Sequence, residues 1–205
     1  MRQVATFILD NLLPMQLVDV PKNQLQLVGV TALLIAAKYE EVYPPRIRDF
    51  AYITADTYSV KEIREMEREI LRRLGYRLNK PLPIHFLRRY SKVGDANTKE
   101  HNLTKYILEL SFLDDTASAM PPSKRAAGAF LLAKSLLYKK TPQQLWTPTL
   151  AYYSQYSVSD LLEAKTMLHQ ALKVGHTSQK FRMSREKYST ATFMKVSTLP
   201  VLQDL

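Results

Sequence analysis

Two stretches of the chain, 98 residues apart, are versions of one another. Residues 58–76 read YSVKEIREMEREILRRLGY and residues 156–174 read YSVSDLLEAKTMLHQALKV. Tyr-Ser-Val is identical in both, Glu62 stands opposite Asp160, Ile63 opposite Leu161, Ile70 opposite Leu168, and Leu74 opposite Leu172. Each copy opens with a capping box, Ser59-x-x-Glu62 and Ser157-x-x-Asp160, which predicts a helix start in both. In the first copy Ile63, Met66, Ile70, Leu71 and Leu74 share one helical face, and Gly75 is a natural stop. A second pair keeps the same order. LQLVGVTALLIAAKY (25–39) matches PSKRAAGAFLLAKSL (122–136) at an offset of 97. Gly29, Ala32 and Ala36 make a stripe of small residues that Ala126, Ala129 and Ala133 repeat, so neighbouring helices can approach closely. With Leu33, Leu34, Ile35 and Phe130, Leu131, Leu132 on the other faces, each helix is apolar nearly all round and belongs at the centre of a bundle.

The fold class is therefore all-α: two tandem helical bundles, each built around one buried helix. The first is expected over residues 1–80 and the second over 81–175. Lys80-Pro81-Leu82-Pro83 marks the joint, because proline ends any preceding helix. Further helices are expected from Pro83 and over Asn97–Thr116, the latter with Leu103, Ile107, Leu110 and Leu113 as its stripe. Residues 176–205 carry no long periodic pattern and read as an extended tail with at most a short helix near Arg185. At the other end, Val4, Phe7, Ile8 and Leu12 form an amphipathic stripe from the first turn. The first bundle then reads as lacking its N-terminal helix, as in a fragment of a longer chain.

Composition removes whole classes of chemistry. The 205 residues include no cysteine, which excludes disulfides, thiolate metal sites and cysteine nucleophiles. None of the five glycines builds a phosphate-binding loop. His85, His101, His169 and His176 share no metal-ligand spacing, so neither a metal nor another cofactor is expected. The apolar run from Leu27 to Ala37 is too short for a bilayer, which needs ~20 residues. No basic region followed by an apolar core opens the chain, as a signal peptide would, and an intracellular protein is expected. Lys and Arg exceed Asp and Glu by 29 to 19, a net +10 that favours acidic partners without choosing among them.

A tandem of small bundles with LQLVGVTALLIAAKYEEVYPP at its heart resembles the cyclin fold over essentially the whole chain. YITADTYSVKEIREMEREIL, LPIHFLRRYSK and REKYSTATFMKVSTLP are most similar to B-type, G2/mitotic-specific cyclins. The resemblance implies a non-catalytic subunit that binds and activates a cyclin-dependent kinase to control mitotic entry, in nucleus and cytoplasm. An M-R-A-I-L-type motif, which opens the first box in this family, is absent. Two alternatives come from other classes. One is a basic two-repeat nucleic-acid-binding module of the transcription factor IIB type, whose zinc ribbon would need cysteines. The other is an inactive truncated cyclin.

From the residues alone, Lys38 is a cation in the last turn of a helix, favourable by ~0.3–1 kcal/mol. Glu67 is a surface carboxylate expected to pair with Arg64 or with neighbours on the Lys61 side of its helix. The resemblance implies a different role for both, gripping the kinase beside its regulatory helix. Lys38 would donate to backbone carbonyls and Glu67 would accept from backbone N–H groups. It further implies apolar kinase contacts at Ile35, Tyr39, Leu71, Tyr76 and Leu78, for which core packing is the plain alternative. Arg46 stands where relatives often carry an acid. Leu25 and Gln26 match the surviving half of a substrate-docking groove whose other half lies on the missing helix. The repeat places Ser135 opposite Lys38 and Lys165 opposite Glu67, so the charged pair occurs in one copy only.

Overall fold

A computed structural model describes residues 22–79, 81–112 and 114–203; every described element is helical. Val4, Phe7, Ile8, Leu12 and Leu113 lie outside the described residues. The chain divides into two compact units, residues 1–80 and 81–205. No helix of the described residues is long and apolar enough to cross a membrane.

In the first unit a 3-10 turn, Lys22–Gln24, leads into α1, Leu25–Glu40. Leu27, Val28, Val30, Ala32, Leu34, Ile35, Ala36 and Ala37 are all buried, as a helix that is apolar on every side requires. Helices α2, Ile47–Ile53, and α3, Val60–Arg73, pack against it. Phe50, Ala51 and Ile63 close the core with Leu27, Val30, Leu34 and Ala37. The expected capping box is present at α3. Ser59 Oγ accepts from the Glu62 backbone N–H at 3.2 Å, and the Ser59 N–H donates to Glu62 Oε2 at 2.8 Å. That hydrogen bonding holds the Glu62 carboxyl below the usual carboxylate range. Gly75 does end the helix, with φ of +56°, and Tyr76 follows it into the left-handed region at +59°. The Tyr76 N–H then donates to the Leu71 carbonyl at 2.9 Å, closing the turn.

The second unit repeats the plan with more elements. After α4, Pro83–Val93, and α5, Thr98–Ser111, come the short α6, Asp115–Ala119, and the central α7, Pro122–Tyr138. Two further short helices, α8, Pro142–Leu145, and α9, Pro148–Ser154, precede α10, Val158–Thr177. Helices α4, α5 and α10 all pack on α7. Ala126, Ala129 and Ala133 have no exposed surface. At Gly128 a side chain would meet Cβ of Ala164 at 3.0 Å, which shows how closely α7 and α10 approach. The expected helix over Asn97–Thr116 stops at Ser111, and a separate turn of helix restarts at Asp115. Asp114 caps it, accepting from the Ala117 N–H at 2.8 Å.

The C-terminal segment is not an extended tail. Helix α11, Arg182–Tyr188, supplies the short helix near Arg185, and 3-10 turns follow it. Tyr188, Val196 and Leu202 sit in the core of the second unit, at 2, 0 and 1% exposure. Glu109 on α5 anchors the segment, accepting from Lys187 Nζ at 2.7 Å, Tyr188 OH at 3.2 Å and Ser184 Oγ at 3.2 Å. The sequence pattern missed this because the chain reverses through left-handed residues at Met194 and Lys195, which breaks any helical period.

Two half-buried histidines set a pH dependence for this unit. Burial pushes the His176 imidazole below its ordinary 6.5, helped by Arg185; burial does the same at His101, helped by Lys105 and Arg88. The unfolded chain takes up protons near pH 6.5 that the folded one refuses, so stability rises with pH through that window. The second unit is expected to lose stability as pH falls from about 7 to about 5.5. Thermal melts across this range should flatten when His101 and His176 are both replaced by glutamine. An unchanged slope in that variant would assign the loss to other groups.

Candidate functional site

The last turn of α1 and the middle of α3 meet where the two helices pack. That packing brings together two residues 29 positions apart: Lys38 Nζ donates to Glu67 Oε1 at 2.6 Å. The Glu67 side chain is 12% exposed and that of Lys38 48%. A carboxylate this sheltered, held by one ammonium at the surface, keeps a fixed position while remaining within reach of an incoming donor. Neither Arg64 nor Lys61 is its partner; Lys61 lies 4.0 Å from Glu65 instead.

Apolar side chains extend the site along the chain on both sides of the pair. Tyr39 follows Lys38 and is half exposed; Tyr76 stands 71% exposed. The left-handed backbone at Tyr76 projects its ring outward, a conformation costing a bulky residue about 1–2 kcal/mol. Leu71 and Leu78 are half-buried. Ile35 is 3% exposed, so its main contacts lie in the core of the unit. Arg46 is exposed, and its backbone N–H donates to Asp49 Oδ2 at 2.7 Å at the start of α2.

Leu25 and Gln26 do not join this group. Both are exposed at the first turn of α1, about 20 Å along the helix axis from Lys38. Sequence reasoning passed over Val42 and Tyr43, at 85 and 92% exposure, and Tyr52 and Ile53, at 76 and 61%. Their signal was available at Val42-Tyr43-Pro44-Pro45, where two prolines prevent the apolar pair from continuing α1 into the core. Among the described residues no cluster of three or more acidic or histidine side chains could hold a metal. The arrangement offers a recognition surface: one charged pair with exposed aromatics on adjoining segments, the composition of binding hot spots.

Comparison with known proteins places these features in a lineage. Residues 3–79 match the family described as Cyclin, N-terminal domain, and residues 81–202 match Cyclin, C-terminal domain. The chain is 47% identical over 195 residues to a G2/mitotic-specific cyclin-B of Marthasterias glacialis, covering 95% of this chain and 49% of that protein. It is 44% identical over 185 residues to G2/mitotic-specific cyclin-B1 of Xenopus laevis, covering 90% and 46%. With the human G2/mitotic-specific cyclin-B2 it shares 41% over 196 residues, covering 95% and 48%. The chain thus spans about half the length of the curated relatives it matches. The solved structure of a viral cyclin from herpesvirus saimiri has the same fold, with a TM-score of 0.66 at 19% identity over 82% of this chain and 75% of that one.

Proposed function

Because the chain belongs to the cyclin family, with both of its units matched, we propose that it is the non-catalytic subunit of a cyclin-dependent kinase, activating that kinase to control mitotic entry. The observation that carries this reading is the Lys38–Glu67 pair, presented at the surface between segments bearing Tyr39 and Tyr76. Protein kinases need an ion pair between a lysine and a glutamate on their C-helix before ATP phosphates are positioned. A rigid surface that binds only the helix-in form draws the kinase into it, to the extent of its differential affinity. With one N–H directed to Glu67, Lys38 has two further donors for backbone carbonyls beside that helix, and Glu67 offers its remaining acceptor capacity to backbone N–H groups. Leu71, Leu78, Tyr39 and Tyr76 would bury apolar surface around the two charges. Ile35 backs the site from the core. Leu25 and Gln26, at the other end of α1, would supply one side of a groove for substrate proteins.

Phosphotransfer tests the proposal directly. A purified cyclin-dependent kinase is assayed on a peptide substrate with and without the chain, and the rate is expected to rise by at least about tenfold. Co-purification without a rise would mean a chain that binds and does not activate. Tyr76 separates stability from binding. Tyr76→Asn keeps a residue that tolerates the left-handed backbone while removing the ring. Urea denaturation is expected to show stability unchanged or raised by up to ~1 kcal/mol, while kinase affinity falls. Unchanged affinity would remove Tyr76 from the interface.

A further inference from the structure

The duplication leaves the second unit with its own version of the Lys38–Glu67 position, and there it forms a groove. Ser135 and Lys165, the corresponding residues, line a groove of ≈ 470 Å³ between α7 and α10, with Leu132, Leu136, Leu162 and His169. The charge at the second of these positions is inverted, because Lys165 stands where the first unit has Glu67, and the first is neutral, with Ser135 in place of Lys38. Ser135 is already committed, its hydroxyl donating to the Leu131 carbonyl at 2.8 Å. Lys165 is half-buried, and among the described residues no carboxylate lies within 4.0 Å of it. Glu163 on the same helix pairs weakly with Lys124 instead, at 3.9 Å. Beside the ammonium lies apolar surface. Leu162 is 43% exposed on a helix face that water would otherwise favour for a polar residue, and Leu136 is only partly covered.

We propose that this groove docks a short acidic-apolar segment of another protein, seating a leucine-like side chain between Leu136 and Leu162 with an aspartate or glutamate on Lys165. Charge selects the occupant. The charged groove side chain is a cation without a partner, so an acidic peptide gains a salt bridge and a basic one meets repulsion. The volume exceeds that of one side chain, which calls for a stretch of several residues. This docking site is separate from the kinase-contacting face proposed for the first unit, and it does not depend on that proposal.

Selection of a random dodecapeptide library on the full chain, followed by fluorescence anisotropy with the enriched peptides, tests this. Enriched peptides are expected to pair Asp or Glu with Leu, Ile, Met or Phe. Lys165→Glu should weaken them by about tenfold, and Lys92→Glu, an equal charge change on exposed α4 surface, by less than about twofold. A charge swap guards against misfolding: Lys165→Glu is expected to bind the same peptide once its acid is replaced by lysine. Failure of any enrichment, enrichment without acidic residues, equal losses in the two variants, or a failed swap would overturn the proposal. So would competition by oligouridylate as effective as by the peptide, which would make the site a general polyanion surface.

Discussion

Replacing Tyr188 with alanine is expected to destabilise the second unit by about 3–5 kcal/mol, the range for deleting a large buried ring. The side chain is 2% exposed and tilts against Tyr106 at 5.1 Å and Phe193 at 4.7 Å between ring centroids. Its hydroxyl also donates to Glu109, so the substitution takes a partner from a carboxylate that is mostly sheltered. Domains of this kind are stable by only ~5–15 kcal/mol, so a loss of this size leaves the unit close to unfolding. Met183→Ala on the same helix is the control, because that side chain is 69% exposed and its loss should stay within about 0.5 kcal/mol. Urea denaturation followed by tryptophan fluorescence reads both, since Trp146 lies in the core of this unit. A Tyr188→Ala loss below about 1 kcal/mol would mean that the C-terminal segment is only loosely attached.

The second large effect concerns association. Alanine at Lys38 or at Glu67 is expected to weaken binding to a cyclin-dependent kinase by about 1.5–3 kcal/mol, the cost of losing hydrogen bonds to a charged group. Because the two side chains are 2.6 Å apart and position each other, the double variant should lose less than the sum of the singles, by at least about 0.5 kcal/mol. Alanine at Ser135 or Lys165 should leave kinase affinity unchanged. Isothermal titration calorimetry distinguishes these outcomes. Equal losses at the two pairs of positions would mean that the kinase uses both repeats. Strict additivity would mean that the bridge in the free chain contributes nothing to the bound geometry.

Short-range rules carry what is legible in the chain. Ser59 with Glu62 and Ser157 with Asp160 declare two helix starts three residues deep, and both boxes form. The apolar circumference of Leu25–Tyr39 and Pro122–Leu136 identifies two buried helices, and duplication makes each reading support the other. Family resemblance adds Lys38 and Glu67 as candidates. The pairing itself was not legible, because spacing along one helix nominates Arg64, three residues before Glu67, and carries no information about a side chain on another helix.

By itself, then, the sequence determined the all-α class, the duplication and the central helices, since these follow from periodicity and capping within a few residues. Tertiary structure alone decided the rest. The crossing of α1 and α3 joins Lys38 to Glu67 across 29 positions, and Glu109 gathers Ser184, Lys187 and Tyr188 from 75, 78 and 79 positions away. The packing of α7 against α10 brings Ser135 and Leu136 of one helix and Leu162 and Lys165 of the other to line one groove. Such contacts depend on how helices stack, and stacking is set by the summed fit of side chains distant in the chain, which no local pattern encodes.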